Sequence, residues 1–339
     1  MRTESDALGR RKVPKDAYWG IHTLRAVENF PISGRRWPGV FLSAFGQVKL
    51  ACLEANAELG LVDTAKAEAL RRACNEMIDG KLHEHVMVDP FQGGAGTSTN
   101  MCINEVLANR AIEVMGGELG DYALVHPVHD VNKHQSTNDV FPTALKAASL
   151  ALLKVLEDKL SRLQEVLQAK EQEFADVVCV GRTQLVDAVP VTLGMTFGAM
   201  AEAASRDRWR IFKCRERLKQ VSLGGTAVGT GLGAPREYIF LAAQHLKRIT
   251  GLPLSRAENL MDATRNLDCF AEAAGMLQAL GANLIKASSD LRLLASGPDA
   301  GLGEIELPAV QAGSSIMAGK INPVLPEAAG QVALRAMAA

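Results

Sequence analysis

Apolar residues recur at helical spacing over most of this chain, and three stretches are unusually long. The first runs from about 138 to 174, with Leu145, Leu152, Leu156, Leu160, Leu163 and Leu167 on one face. The second runs from about 191 to 221. The third, about 262 to 295, carries Phe270, Ala273, Leu277, Leu280, Leu284, Ala287, Leu291 and Leu294. Those steps alternate three and four without a break, which is the seam of a coiled-coil-like bundle. A helix of about 34 residues is roughly 50 Å long, so such helices build an elongated bundle and need partner helices along the seam. Shorter helical patterns fall at about 42–60, 63–80 and 100–116. Residues 1–40 read as irregular, with a turn at Pro31-Ile32-Ser33-Gly34. The pattern predicts a mainly all-α protein, with an N-terminal domain over 1–137 and a long-helix bundle over 138–339.

Composition sharpens this reading. Aromatic residues make up 5% of the chain, which favours helix over sheet. Lys plus Arg number 37 against 38 Asp plus Glu, so neither nucleic acid nor an anionic membrane surface is expected as a partner. Any anionic ligand must be held by a local site. The N-terminal segment has no apolar signal-peptide core and no apolar run reaches membrane-spanning length. Cys52, Cys74, Cys102, Cys179, Cys214 and Cys269 are scattered without metal-ligand spacing. They read as reduced, buried residues of a cytoplasmic protein, and no metal or other cofactor is expected.

Four short stretches rich in Gly, Ser, Thr and Asn interrupt the helices: 93–100, 134–139, 181–184 and 313–322. Each stands before a predicted helix, with Pro142, Pro190 and Pro323 placed where a first turn tolerates proline. Any one of them alone reads as ordinary capping. Four together, with Arg182 and Lys320, suit a dianion, because helix N-termini offer free N–H groups and a positive dipole end. The glycine-rich run Gly224–Gly233 lacks the preceding strand and the following Lys-Ser/Thr of a nucleotide loop.

The run Gly313-Ser314-Ser315-Ile316-Met317-Ala318-Gly319-Lys320-Ile321-Asn322-Pro323 resembles the signature GSSxMPxKxNP of the aspartase/fumarase superfamily, departing at Ala318. Val13–Ala26, Glu28-Asn29-Phe30 and Phe91–Ser98 resemble its aspartase branch, and Asn104–Asn109 resembles both branches. The resemblance implies a small dicarboxylate substrate such as L-aspartate or fumarate. Residue by residue, it implies Ser314 as the base, activated by surrounding charge and donors, with Ser315 beside it. Thr97, Ser136, Thr137, Asn138 and Thr183 match substrate-binding positions that supply donors for an aci-carboxylate, the oxyanion-hole logic applied to an enolate. Lys320 and Asn322 match the pair that holds the second carboxylate.

Gln184 stands where hydratases of the superfamily usually carry histidine, with Glu327 as the glutamate partner of that position. Glutamine cannot titrate. Loss of hydroxide needs an acid, whereas an ammonium substituent leaves as neutral ammonia, so the resemblance implies aspartate ammonia-lyase. The alternatives are a fumarate hydratase or an inactive lyase fragment. Further departures are Cys102, where Asn is usual, and Val128-His129 within His126–Asn132, where an Asn-Asp pair is usual. In the superfamily each active site is assembled from three subunits of a homotetramer, and the chain continues past the signature. The resemblance therefore implies an incomplete bundle here, an absent C-terminal domain and an apolar seam left open, which would prevent a competent tetramer.

Overall fold

The computed structural model describes all 339 residues. It is mainly helical, and the chain divides into two compact units, one of residues 1–152 with 217–267 and one of residues 153–216 with 268–339.

The first unit opens on a hairpin, β1 (Arg2–Asp6) with β2 (Gly9–Val13), followed by α1 (Ile21–Asn29). The irregular segment expected over 1–40 is therefore partly structured. Its strands were hidden because they are short and charged, with little apolar alternation to betray them. Three helices follow, α2 (Gly39–Glu58), α3 (Thr64–Ile78) and α4 (Thr97–Val114), each within a few residues of its expected span. α2 packs on α3, and α3 packs on α4. Trp37, Phe41, Phe45 and Phe141 form a cluster with ring centroids 4.5–6.2 Å apart. Val48, Ala51, Cys52, Ile103, Val106 and Leu107 are fully buried.

Buried carboxylates rather than an N-cap side chain fasten the start of α1. Glu105, on α4, accepts hydrogen bonds from the backbone N–H groups of Gly20 (2.8 Å), His22 (2.9 Å) and Thr23 (3.1 Å), and from the Thr23 hydroxyl (2.7 Å). Glu4 accepts from Ile21 N–H at 2.8 Å. Two carboxylates at one helix start meet both the unpaired N–H groups and the positive dipole end.

α5 (Thr137–Glu173) is the first long helix. Pro142 lies inside it rather than in its first turn, and of the expected stripe Leu152 is exposed while Leu160 is buried. The loop after residue 218 returns to the first unit through α7 (Arg236–Thr250), packed on α2, and α8 (Leu260–Arg265).

In the second unit, β3 (Val178–Thr183) and β4 (Val186–Thr192) form an antiparallel hairpin ahead of α6 (Leu193–Leu218). The stretch 181–184 thus closes a strand instead of starting a helix, and Pro190 lies on β4. The valine-rich run Val177-Val178-Cys179-Val180 suits a strand at this point. The third long helix starts later than expected: Asn266 ends α8, and α9 runs Asp268–Leu294. Along its seam only Ala273 and Leu280 are fully buried, while Leu277, Leu284, Leu291 and Leu294 are half-covered. α9 packs on α10 (Val324–Met337). Leu193, Phe197 and Met200 of α6 form a core with Leu167, Phe174, Ala287, Leu291 and Ile305 around them.

Glu105→Gln keeps one accepting oxygen and turns an NH2 toward the N–H groups served by the other, so the unfolding free energy should fall by about 2–4 kcal/mol. Urea unfolding of the variant beside the parent chain measures this.

Candidate active site

The candidate donors of the first unit rest on a buried lysine. Lys49 lies on α2 among Val48, Leu50, Ala51 and Cys52, and only 2% of its surface is exposed. Its ammonium donates to Asn100 Oδ1 (2.7 Å), Gln135 Oε1 (2.8 Å) and Asn132 Oδ1 (3.0 Å). Desolvation pushes its pKa down to about 8. The three amides carry the ordering outward. Asn100 Nδ2 donates to Asn132 Oδ1 (3.2 Å) and to the Thr137 hydroxyl (3.1 Å), while Asn104 Nδ2 donates to Asn132 Oδ1 (3.3 Å). The chain from a buried cation to a site threonine is therefore three residues long: Lys49, Asn100, Thr137.

Thr137 is the first residue of α5, flanked by Ser136 and by the exposed Asn138. The Ser136 hydroxyl accepts from Asn138 N–H at 3.2 Å, and Asn138 Nδ2 donates to the Ala227 carbonyl at 2.8 Å. Thr97 opens α4 with its side chain exposed and its hydroxyl donating to Gly94 O at 2.7 Å. The residue before it, Gly96, has φ +92°, and a Cβ there would sit 2.4 Å from the Phe141 ring. Only glycine meets both demands. Gly96 offers no side-chain cap to α4; instead Gln92 Oε1 accepts from Thr99 N–H (2.9 Å) and Gly94 O accepts from Thr97 N–H (3.1 Å).

In the second unit the signature folds as a closed loop before α10. Gly313 N–H donates to Lys320 O (2.9 Å), and Asn322 Nδ2 donates to Gly313 O (2.6 Å). Asn322 is thus a brace of the loop in this conformation. Inside it the half-buried Ser314 hydroxyl accepts from the N–H groups of Met317 (3.0 Å) and Ile316 (3.3 Å). Donors aimed at a hydroxyl oxygen favour its ionised form. Ser315 and Lys320 are exposed.

Thr183 ends β3, and Gln184 occupies the hairpin turn with φ +55°, followed by Leu185 at +65°. Both Thr183 and Gln184 are exposed, and they follow Arg182 in the chain. Arg182 is not a spare cation for substrate: it pairs with Glu304 (2.5 Å) and Asp187 (3.2 Å). Arg182, Gln184, Lys286, Asp290 and Glu304 line a cleft of about 520 Å³ that does not include Ser314. Glu327 lies exposed on the first turn of α10, hydrogen-bonded by Gln331 rather than by Gln184.

Sequence reasoning missed Lys49 and did not assign Asn100, Asn132, Gln135 or Asp139. The available signal was a lone charge inside the otherwise apolar run Val48–Leu53. Two departures from the superfamily pattern read as local structure. Cys102 is fully buried, with its thiol pushed up to about 12 by burial. His126 caps the π-turn Pro127–Val131, its Nδ1 accepting from Val128 N–H (3.0 Å) and His129 N–H (3.2 Å).

Residues 9–338 match the protein family described as Lyase. The chain belongs to this lyase family. Among its relatives are aspartate ammonia-lyases from a Bacillus species (49% identical over 99% of this chain and 72% of the relative), from Bacillus subtilis (47%, 98% and 70%) and from Escherichia coli (46%, 99% and 71%). Within the family the chain falls with the aspartate ammonia-lyases, and it is a carbon–nitrogen lyase. Solved structures agree on the fold. A Brucella melitensis fumarate lyase:delta crystallin bound to cobalt has a TM-score of 0.94 at 47% identity, covering 99% of this chain and 74% of that one. A class II fumarase from Schistosoma mansoni has a TM-score of 0.93 at 32% identity, covering 99% and 74%. No helix is long and apolar enough to cross a membrane.

Lys49→Met strands three amide oxygens without their ammonium donor. It should lower the unfolding free energy by about 2–4 kcal/mol and reduce lyase turnover through Asn100 and Thr137. Chemical denaturation and an aspartate assay on the same preparation check both.

Proposed function

We propose that this chain catalyses the reversible loss of ammonia from L-aspartate to give fumarate, with Ser314 as the base. The substrate assignment is carried by relatives named aspartate ammonia-lyase, 45–49% identical over 98–99% of this chain. The fumarase structure is more distant at 32%. Support for Ser314 comes from the two N–H groups aimed at its Oγ inside a loop closed by Gly313, Lys320 and Asn322.

In this reading the Ser314 alkoxide takes a proton from the methylene carbon of aspartate. The electron pair moves into the adjacent carboxylate, giving an aci-carboxylate, then returns to form the double bond as the C–N bond breaks and ammonia leaves. Thr97, Ser136, Thr137 and Asn138 donate to the aci-carboxylate, where preorganised donors act mainly in the transition state. Lys320 and Asn322 hold the second carboxylate, and Thr183 and Ser315 add contacts. Gln184 carries no proton for the leaving group, and the departing ammonium needs none; Glu327 plays a supporting part. No step calls for a metal or an organic cofactor. The exposure of Thr97, Asn138, Ser315 and Lys320 fits a site completed by neighbouring subunits of a homotetramer, with the N-terminal domain ending near the start of α5. Six free cysteines fit a reducing, cytoplasmic setting.

A base acts in the transition state more than in the ground state. Ser314→Ala should therefore remove fumarate formation, by at least about 1,000-fold, while binding of the unreactive dicarboxylate succinate changes little. Lys320→Met should instead weaken succinate binding, because it offsets a carboxylate charge. Near-normal turnover by Ser314→Ala excludes this base.

A further inference from the structure

Asp139, two residues after Thr137, is completely buried on the first turn of α5. One carboxylate oxygen closes a local capping box, accepting from Ser136 N–H at 3.0 Å. The other reaches across 87 residues and accepts from Thr226 N–H at 3.0 Å. Thr226 belongs to the glycine-rich run that the nucleotide-loop reading left without a role. It holds φ +55°, a conformation uncommon for threonine. Its hydroxyl donates to Leu232 O at 3.0 Å. The same loop supplies the Ala227 carbonyl that receives Asn138 Nδ2. The loop has no slack: a Cβ on Gly229 would stand 2.3 Å from Met261 Cα. Two hydrogen bonds from consecutive residues, Asn138 and Asp139, therefore join the donor tripeptide to a rigid loop.

We propose that Asp139 is a positioning residue for the lyase reaction, bracing Ser136–Thr137–Asn138 against the loop 222–234 so that their donors meet the aci-carboxylate. This rests on the assignment of those three residues as substrate donors. An ionised carboxylate serves two N–H groups at once, whereas a carboxamide offers one oxygen and turns its own N–H toward the other donor. Lys49 and Cys52 of α2 and Tyr238 of α7 are the titratable groups facing Asp139. Burial pushes the Asp139 carboxyl up to about 7, against the hydrogen bonds from Ser136 and Thr226. The carboxyl is thus half-protonated near that pH and increasingly ionised above it.

The test is Asp139→Asn in the full chain, read by hydrogen–deuterium exchange of the 222–234 peptide and by steady-state kinetics on aspartate. Misplaced donors cost the transition state, so kcat should fall about 10- to 100-fold while KM stays within about threefold. Exchange in 222–234 should accelerate about tenfold or more at unchanged overall helicity. Unchanged exchange, a kcat within twofold of the parent, or a loss carried wholly by KM overturns the proposal. Should the variant not fold, the parent chain decides: the buried carboxyl binds its proton more tightly than an opened one, so after correction for intrinsic chemistry exchange in 222–234 must be slower at pH 6 than at pH 8, and a flat profile overturns it. Absence of aspartate turnover in the parent would instead count against the ammonia-lyase assignment, with the exchange measurements still judging the brace.

Discussion

A single ammonium sealed inside α2 organises the first unit. Burying an unpaired charge is costly, and Lys49 is tolerated because three amide oxygens converge on it. Those oxygens belong to Asn100 on α4 and to Asn132 and Gln135 in the segment leading to α5. One cation therefore fixes how α2, α4 and the start of α5 meet. The Asp139 carboxyl, buried in the same interior, fastens that start to the loop carrying Thr226. Lys49 and Asp139 do not touch, and each is satisfied through neutral partners. Thr137, hydrogen-bonded by Asn100, sits between the two constraints.

The second unit is built on a different principle. Its signature loop is held by backbone closure and by Asn322, with Ser314 receiving two N–H groups and Lys320 left exposed. Nearby, Arg182 is neutralised by Glu304 and Asp187, which leaves Lys320 as the unpaired cation of the candidate residues. This suits a near-neutral protein that binds a dianion through local donors rather than an extended field. The chain spans 70–72% of the length of the three aspartate ammonia-lyases named above.

Much of this was legible in the residues. The three-four alternation from Phe270 to Leu294 marked α9, and the apolar spacing placed α2 to α6 within a few residues. The Ser314 signature pointed to the lyase family. Other features were not legible for physical reasons. The charged β1–β2 hairpin carries no alternating pattern, and Gly181-Arg182-Thr183-Gln184 has a composition equally at home before a helix or in a tight turn. Lys49 could be seen as an oddity in an apolar run, but its partners lie 51 to 86 residues away in the chain. Spacing along a sequence does not reveal contacts of that range. The same holds for Asp139, whose capping box was readable while its bond to Thr226 was not.

In the proposed reaction ammonia rather than water is the group that leaves. The direct measurement compares initial rates of fumarate formation by the purified chain from L-aspartate and from L-malate, followed through the absorbance of the conjugated double bond. With Gln184 unable to protonate a departing hydroxide, aspartate should turn over and malate should give no fumarate above background. Comparable rates on the two substrates would contradict it.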